Sequence, residues 1–382
     1  MIDPSLFYKF LSERGVNFFT GVPDSLLKSF CAYAAGRGNH VTAVNEGAAV
    51  ALAAGSHLAT GKVPLVYMQN SGIGNAANPL LSLADGDVYR IPMILLVGWR
   101  GEPGVKDEPQ HRKQGKATCA LFEAMGIPYI ILPDSAEEAR ARLDECFERI
   151  KSDNAPFALI ARKDTFAPYA PPNGNDAADA PRESEMSREE AVGHIVRSSA
   201  PDEIFVSTTG MASRELYELR EMERMGHERD FLTVGSMGHA SSLALAVAVR
   251  KPELRVNCID GDGAALMHLG AMAAVGAVSP ANLRHIVLNN GAHDSVGGQP
   301  TIARRIDLAG IARACGYACV YSVKTAEELR KALGETAGKS EGAVFIEAFV
   351  RKGARGGLGR PKSSPIENKE AFMRFIADGG NV

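Results

Sequence analysis

Residues 256–301 read VNCIDGDGAALMHLGAMAAVGAVSPANLRHIVLNNGAHDSVGGQPT. The apolar run that ends at Ile259 and the run LRHIVL at 283–288 have the length of buried strands, and the small-residue stretch between them has the length of a helix. The segment therefore predicts a β-α-β unit of a parallel sheet. Gly261-Asp262-Gly263 then lies in a strand-to-helix turn at a carboxyl edge, where open parallel sheets bind ligands, and Asn290 ends the next strand beside it. The two glycines let a ligand approach the backbone, and the N–H groups of the helix start, Ala264 included, favour phosphate. Asp262 adds a hard oxygen for a divalent cation. An aspartate, an asparagine side-chain oxygen and a nearby backbone carbonyl, completed by diphosphate oxygens, suit magnesium, which protein alone seldom cages. The spaced pair predicts a Mg2+-diphosphate cofactor.

Outward from this unit, the same alternation runs through both halves of the 382-residue chain: VNFF, VTAV, VPLVYM, IPMILLV and PYIIL first, then EIFVS, LRVNCI, LRHIVL and AVFIEA. Such runs between longer helical patterns predict an α/β fold with two doubly wound parallel-sheet domains. The stretch FAPYAPPNGNDAADAPRES at 166–184 has no apolar period. The expected division is a domain over 1–165, a linker over 166–185 and a domain over 186–382. After AVFIEAFV comes a Gly- and Arg-rich segment, expected as a mobile basic loop, and then a closing helix from Glu367 to Ala377.

Composition narrows the partners. A formal net charge of -3 with 23% charged residues leaves no electrostatic footprint for nucleic acid or an anionic membrane surface. The N-terminus lacks a signal or transit pattern and the apolar run LALAVAV is too short to span a bilayer, so the expected location is cytoplasmic. Six scattered cysteines without a C-x-x-C spacing predict idle thiols, neither a zinc site nor a disulfide framework.

Gly261-Asp262-Gly263 followed by Asn289-Asn290 resembles the binding signature of the thiamine-diphosphate-dependent enzymes. The resemblance implies that Asp262, Asn290 and the main-chain carbonyl of Ala292 hold magnesium on thiamine diphosphate. It also implies a glutamate at a helix start of the other domain, to touch the cofactor's aminopyrimidine, and AVNEGAAVALAAGSHLATG supplies Glu46. LTVGSMGHASSLALAVA resembles the region that bends the cofactor, which implies that the Gly235 carbonyl accepts from the pyrimidine amino group and that Met237 is the apolar wedge. STTGMASREL resembles the neighbouring loop and implies Thr209 and Gly210 near the cofactor.

Four further segments, TGVPDS, MQNSGIGNAANPLLSL, GWRGEPGVKDEPQH and NNGAHDSVGGQPT, resemble the compact 2-oxo acid decarboxylases that act on phosphonopyruvate or, less closely, sulfopyruvate; these lack the middle domain of larger relatives. The implied reaction is decarboxylation of 3-phosphonopyruvate to phosphonoacetaldehyde, with Glu46 placing a proton. A phosphonate calls for cationic and N–H donors, and the candidates are His111, Arg112 and, in the C-terminal basic loop, Arg355 and Arg360. Asn70 and Ser71 are expected to orient substrate, and Ser25, Asp24 and His293 are the candidates for proton transfer. Because the family builds its site between domains of different subunits, the resemblance implies a homo-oligomer, at least a dimer. A nucleotide-dependent dehydrogenase is disfavoured, since no G-x-G-x-x-G follows a strand, and a non-catalytic subunit would have no use for Glu46.

Overall fold

The structure, a computed structural model, describes residues 1–170, 186–338 and 340–379. The chain divides into two compact units, Met1–Gly174 and Asn175–Val382.

The first unit contains, in order, α1 (Pro4–Glu13), β1 (Phe19–Gly21), α2 (Lys28–Ala35), β2 (His40–Thr42), α3 (Glu46–Thr60), β3 (Leu65–Gln69), α4 (Ile73–Pro79), β4 (Ile94–Gly98), α5 (Pro109–Ala124), β5 (Tyr129–Ile131), α6 (Ala136–Asp153) and β6 (Phe157–Ala161). All six strands are parallel, in the order β2-β1-β3-β4-β6-β5. Successive strand residues face opposite sides: Leu65 and Tyr67 pack with Phe7, Phe30 and Leu143 of α1, α2 and α6, whereas Val66 and Met68 pack with Val50, Ala53 and Phe122 of α3 and α5. Both faces are covered, which is why the strands read as continuous apolar runs.

Phe166 stands at the head of the expected linker but belongs to this core. It is buried, packs edge-on against Phe7 and stacks on Phe30, and it bridges to Ile2. Tyr169 meets Tyr33. Phe166 reads as linker by composition, yet it helps close the first core; residues 171–185 lie outside the described residues.

The second unit contains β7 (Met186–Ser187), α7 (Arg188–Arg197), β8 (Ile204–Ser207), α8 (Met211–Met222), β9 (Asp230–Leu232), α9 (Ala240–Arg250), β10 (Val256–Gly261), α10 (Asp262–Met267), α11 (Gly270–Val278), β11 (Leu283–Asn289), β12 (Ala292–His293), β13 (Gln299–Pro300), α12 (Leu308–Cys315), β14 (Cys319–Val323), α13 (Ala326–Glu335), β15 (Val344–Arg351) and α14 (Pro365–Ala377). Its parallel sheet runs β14-β15-β11-β10-β8-β9, with β7 against β15. Helices α7, α8 and α13 bury Val192, Ile195, Leu216 and Leu329 on one face, against Phe205, Ile259, Ile286 and Ile346.

The helix expected between β10 and β11 is broken into α10 and α11 at His268, whose backbone leaves the helical region (φ -130, ψ 55). The His268 ring packs against that of His239, with centroids 4.3 Å apart. The closing helix starts two residues before Glu367, at Pro365, because Ser364 caps it in a reciprocal bond with Glu367. No helix among the described residues is long and apolar enough to cross a membrane, and all six cysteines are free thiols.

Each sheet has a point where the chain reverses its direction of travel across the sheet, between β1 and β3 in the first unit and between β8 and β10 in the second. The crevices outside the strand carboxyl ends at such points are where open α/β sheets take ligands.

Candidate functional site

In the first unit, Asn45 caps α3 by accepting from the Ala48 N–H at 2.8 Å, which makes Glu46 the first helical residue. The Glu46 side chain is 5% exposed, and its Oε2 accepts from Asn75 Nδ2 at 2.8 Å. It lies across the turn at Gly72, where a methyl group would stand 2.5 Å from Glu46 Cγ and Oε1. Only glycine leaves that space, so MQNSG serves to seat the glutamate of another segment.

The reversal point of this sheet gathers residues 21–25, 69–72 and 98–107. Asp24 is fully buried and accepts from Gln69 Nε2 and the Leu26 N–H, both at 2.8 Å. Burial pushes its carboxyl above the ordinary carboxylate range, against the pull of those donors and of Arg100. Half-buried Ser25 receives a 2.8 Å hydrogen bond from Arg100 Nη1, while Arg100 Nε and Nη2 form a fork on Asp107.

Asn70 is buried, and its amide is taken up at both ends. Nδ2 donates to the Arg100 carbonyl (2.8 Å) and to Thr118 Oγ1 (2.9 Å), and Oδ1 accepts from the Arg100 N–H (3.2 Å). It braces the turn that carries Arg100 rather than offering its amide to a substrate. Ser71 is exposed and donates to Gln69 Oε1. His111 is buried near the Arg100–Asp107 pair, its Nδ1 makes no hydrogen bond among the described residues, and burial lowers its pKa to about 4, with Arg100 adding to the effect and Asp107 opposing it. Arg112, one residue on, is exposed.

In the second unit, β10 and β11 pair with Gly261 opposite Leu288, which brings Asp262 and the 289–292 turn out at one edge. Thr301 ties the two ends together: its hydroxyl donates to Asp262 Oδ2 and its N–H to the Gly291 carbonyl at 2.8 Å. Burial drives the Asp262 carboxyl up to about 7, against the Thr301 hydroxyl and the N–H groups of Gly263 and Asp262 itself. The turn is held from below by Asn289, whose Nδ2 donates to Glu347 Oε1 of β15 at 2.7 Å, and it needs Gly291 at φ +69. Asn290 Oδ1 accepts from the Ala292 N–H at 2.9 Å and its Nδ2 donates to Asp294 Oδ2 at 2.7 Å. Ala292 pairs with Pro300, which has no N–H to offer its carbonyl.

These groups fit magnesium with a diphosphate. The donors are all oxygens, and the desolvation that raises Asp262 is of the kind a bound cation offsets. The hydroxyl of Thr208, at the end of β8 and beside Gly261, is buried and without a partner among the described residues, an orphan that a diphosphate oxygen would satisfy.

Around this edge, the Thr209 hydroxyl accepts from the Gly235 N–H at 3.1 Å, and Gly210 takes φ +103 to start α8. Met237 is half-buried in a loop whose residue 236 is a serine at φ +46. His293 is half-buried against Gly263, and burial lowers its pKa to about 4, so the ring is neutral near pH 7. Arg355 turns to other partners: its guanidinium is taken by Glu189 (Nε to Oε1, 2.7 Å) and Glu218, so the expected basic loop is fastened to α7 and α8. Arg360 is exposed.

Sequence reasoning missed Arg100, Asp107, Gln69, Asn75, Thr301 and Arg188. Apart from Asp107, whose partner Arg100 is seven residues away, each has a partner distant in the chain: Ser25 for Arg100, Asp24 for Gln69, Glu46 for Asn75, Asp262 for Thr301, and Glu215 and Asp294 for Arg188.

The thiamine pyrophosphate enzyme N-terminal TPP binding domain model matches residues 5–120, and the C-terminal TPP binding domain model matches residues 208–348. A phosphonopyruvate decarboxylase of Streptomyces hygroscopicus is 36% identical over 392 residues, covering 99% of this chain and 95% of its own. Another from Streptomyces viridochromogenes is also 36% identical, over 96% of this chain and 93% of its own. A sulfopyruvate decarboxylase of Methanosarcina acetivorans is 28% identical over 96% of this chain and 94% of its own. With identity at that level running nearly end to end, and both cofactor-domain models matched in chain order, the chain belongs to the thiamine pyrophosphate enzymes, in the group that contains the phosphonopyruvate decarboxylases.

Proposed function

We propose that the protein decarboxylates 3-phosphonopyruvate to phosphonoacetaldehyde and carbon dioxide with thiamine diphosphate and Mg2+. The observation that carries this reading is the 36% identity, over nearly the whole chain, to two phosphonopyruvate decarboxylases. Bound thiamine diphosphate supplies the electron sink that a 2-oxo acid needs to lose carbon dioxide. The residues of the chain bind, orient and move protons around it.

Asp262 and Asn290, with the Ala292 carbonyl, would hold Mg2+, and Gly261, Gly263, Ala264, Thr209 and Gly210 would line the diphosphate side. The Gly235 carbonyl and Met237 would meet the pyrimidine and the underside of the cofactor. Glu46, oriented by Asn75, would hydrogen-bond the pyrimidine ring and set its proton. On the substrate side, Arg100 joins Arg112 as a cation for the phosphonate, its fork pinned by Asp107 and its remaining edge turned to Ser25, and the neutral His111 ring offers an N–H donor. Ser25 and His293 are the candidate proton carriers; Asp24, fully buried, acts through Gln69. The domain reaching from the N-terminus to the 166–185 region is the pyrimidine type and the one from 186 the diphosphate type. The enzyme works as a homo-oligomer, at least a dimer, in the cytoplasm.

An aldehyde-release assay with phosphonopyruvate, sulfopyruvate and pyruvate, with and without thiamine diphosphate and Mg2+, tests the reading. Turnover independent of the cofactor would sink it. Faster turnover of sulfopyruvate would favour the second reading, for which the 28% identical sulfopyruvate decarboxylase speaks.

A further inference from the structure

Asn290 is asked to present an oxygen to a cation, yet a carboxamide carries an oxygen and an NH2 of nearly the same shape. A half-turn about its last bond would aim two N–H donors at the metal instead. Something must tell the two ends apart.

Two neighbours do so by their chemistry. The Ala292 N–H can only donate, and it stands 2.9 Å from Asn290 Oδ1. The Asp294 Oδ2, held by donors on its other sides, acts as an acceptor, and it stands 2.7 Å from Asn290 Nδ2. Flipping the amide would put donor against donor and acceptor against acceptor. The Ala292 contact is made by the same short turn and moves with it, whereas Asp294 is anchored from outside. Its Oδ2 also accepts from Arg188 Nη1 at 2.8 Å and from the Gly353 N–H at 3.0 Å. Arg188 is buried, and its other edge forms a fork on buried Glu215 through Nε (2.8 Å) and Nη2 (2.9 Å). One carboxylate oxygen thus joins the 290 turn to α7, α8 and the segment after β15.

We infer that Asp294 is a positioning residue: held by Arg188 and the Gly353 N–H, it fixes the Asn290 carboxamide so that Oδ1, and not Nδ2, faces the cation. The inference rests on the reading that Asp262 and Asn290 hold the metal. Partners of this kind behind a metal ligand are worth on the order of 10–100-fold in metal affinity.

Binding of Mn2+, followed by loss of the free-ion EPR signal in the presence of thiamine diphosphate, measures this without turnover. Asp294→Ala removes the acceptor that tells the two ends of the Asn290 carboxamide apart, while Arg188 keeps its fork on Glu215; it should weaken Mn2+ roughly 10–100-fold while the metal-free protein still melts cooperatively. Arg188→Lys keeps a positive charge but loses the fork that bridges Glu215 and Asp294, and should shift affinity the same way to a smaller extent. Parent-like Mn2+ affinity in both variants would overturn the inference. If Asp262→Ala also bound Mn2+ normally, the metal-site reading itself would be at fault; weak binding by Asp262→Ala beside normal binding by the other two would remove Asp294 alone.

Discussion

At the scale of single residues, Glu46 is the group with the least freedom to be replaced. Its carboxylate is oriented by Asn75 and lies where a Cβ at residue 72 would be. Glu46→Gln keeps the size and the Asn75 contact but not the proton-placing chemistry. Its kcat should fall about 10²–10³-fold with cofactor affinity within a few-fold, as read by steady-state kinetics and calorimetry. Gly72→Ala should reproduce that loss by displacing an intact Glu46. A fully active Gly72→Ala would show that the glutamate does not need that seat. A pH effect follows from three histidines. Burial lowers His40, His111 and His293 to about 4, whereas an unfolded histidine titrates near 6.5. Between those values the unfolded chain binds more protons, so their contribution to stability is present above 6.5 and lost as pH falls toward 4. Thermal melts of the metal-free protein should drop through that window, and His111→Gln should make the drop shallower; an unchanged slope would place His111 outside the effect.

At the scale of elements, the segment after β15 changes most between sequence and structure. Glycines and arginines from Lys352 to Lys362 read as a loose basic loop, but acidic side chains of α7 and α8 fasten it: Glu189 and Glu218 take Arg355, and Glu221 takes Lys362. Those acids lie about 140–170 residues earlier, so no local pattern announces them. Exposed ion pairs of this kind add little each; a further tie is the Gly353 N–H on Asp294, whose carboxylate is also held by buried Arg188. Metal and cofactor that settle the 290 turn should therefore also settle this loop. Limited trypsin digestion should cleave at Lys352 and Arg355 several-fold more slowly when Mg2+ and thiamine diphosphate are present; equal rates would show that the loop is independent of the metal site. The break of α10 from α11 at His268 belongs here too. The small-residue run has the composition of one helix, and the departure of His268 from helical backbone is local to where its ring meets His239.

At the scale of the whole molecule, the implied oligomer has a direct test. If each site takes Glu46 from one subunit and Asp262 from another, then Glu46→Gln and Asp262→Ala, each inactive, should recover about a quarter of parental activity when unfolded and refolded together in equal amounts. No recovery would mean that one subunit supplies both residues. What the sequence by itself determined is the periodic part: apolar runs alternating with helical patterns, the glycines at 261 and 263, and the polar ligands Asp262, Asn290 and Glu46 at element ends. These are legible because strand and helix periods and turn chemistry act over a few residues. Only the tertiary structure decided which side chains hold those ligands. Gly72 beneath Glu46, Thr301 on Asp262, Arg188 and Asp294 behind Asn290, and Arg100 against Ser25 are pairings made across a parallel sheet, whose crossover connections bring distant segments to one edge. Phe166 belongs with these, since a residue at the head of a linker-like stretch became core only because α1 and α2 left a hydrophobic face for it to cover.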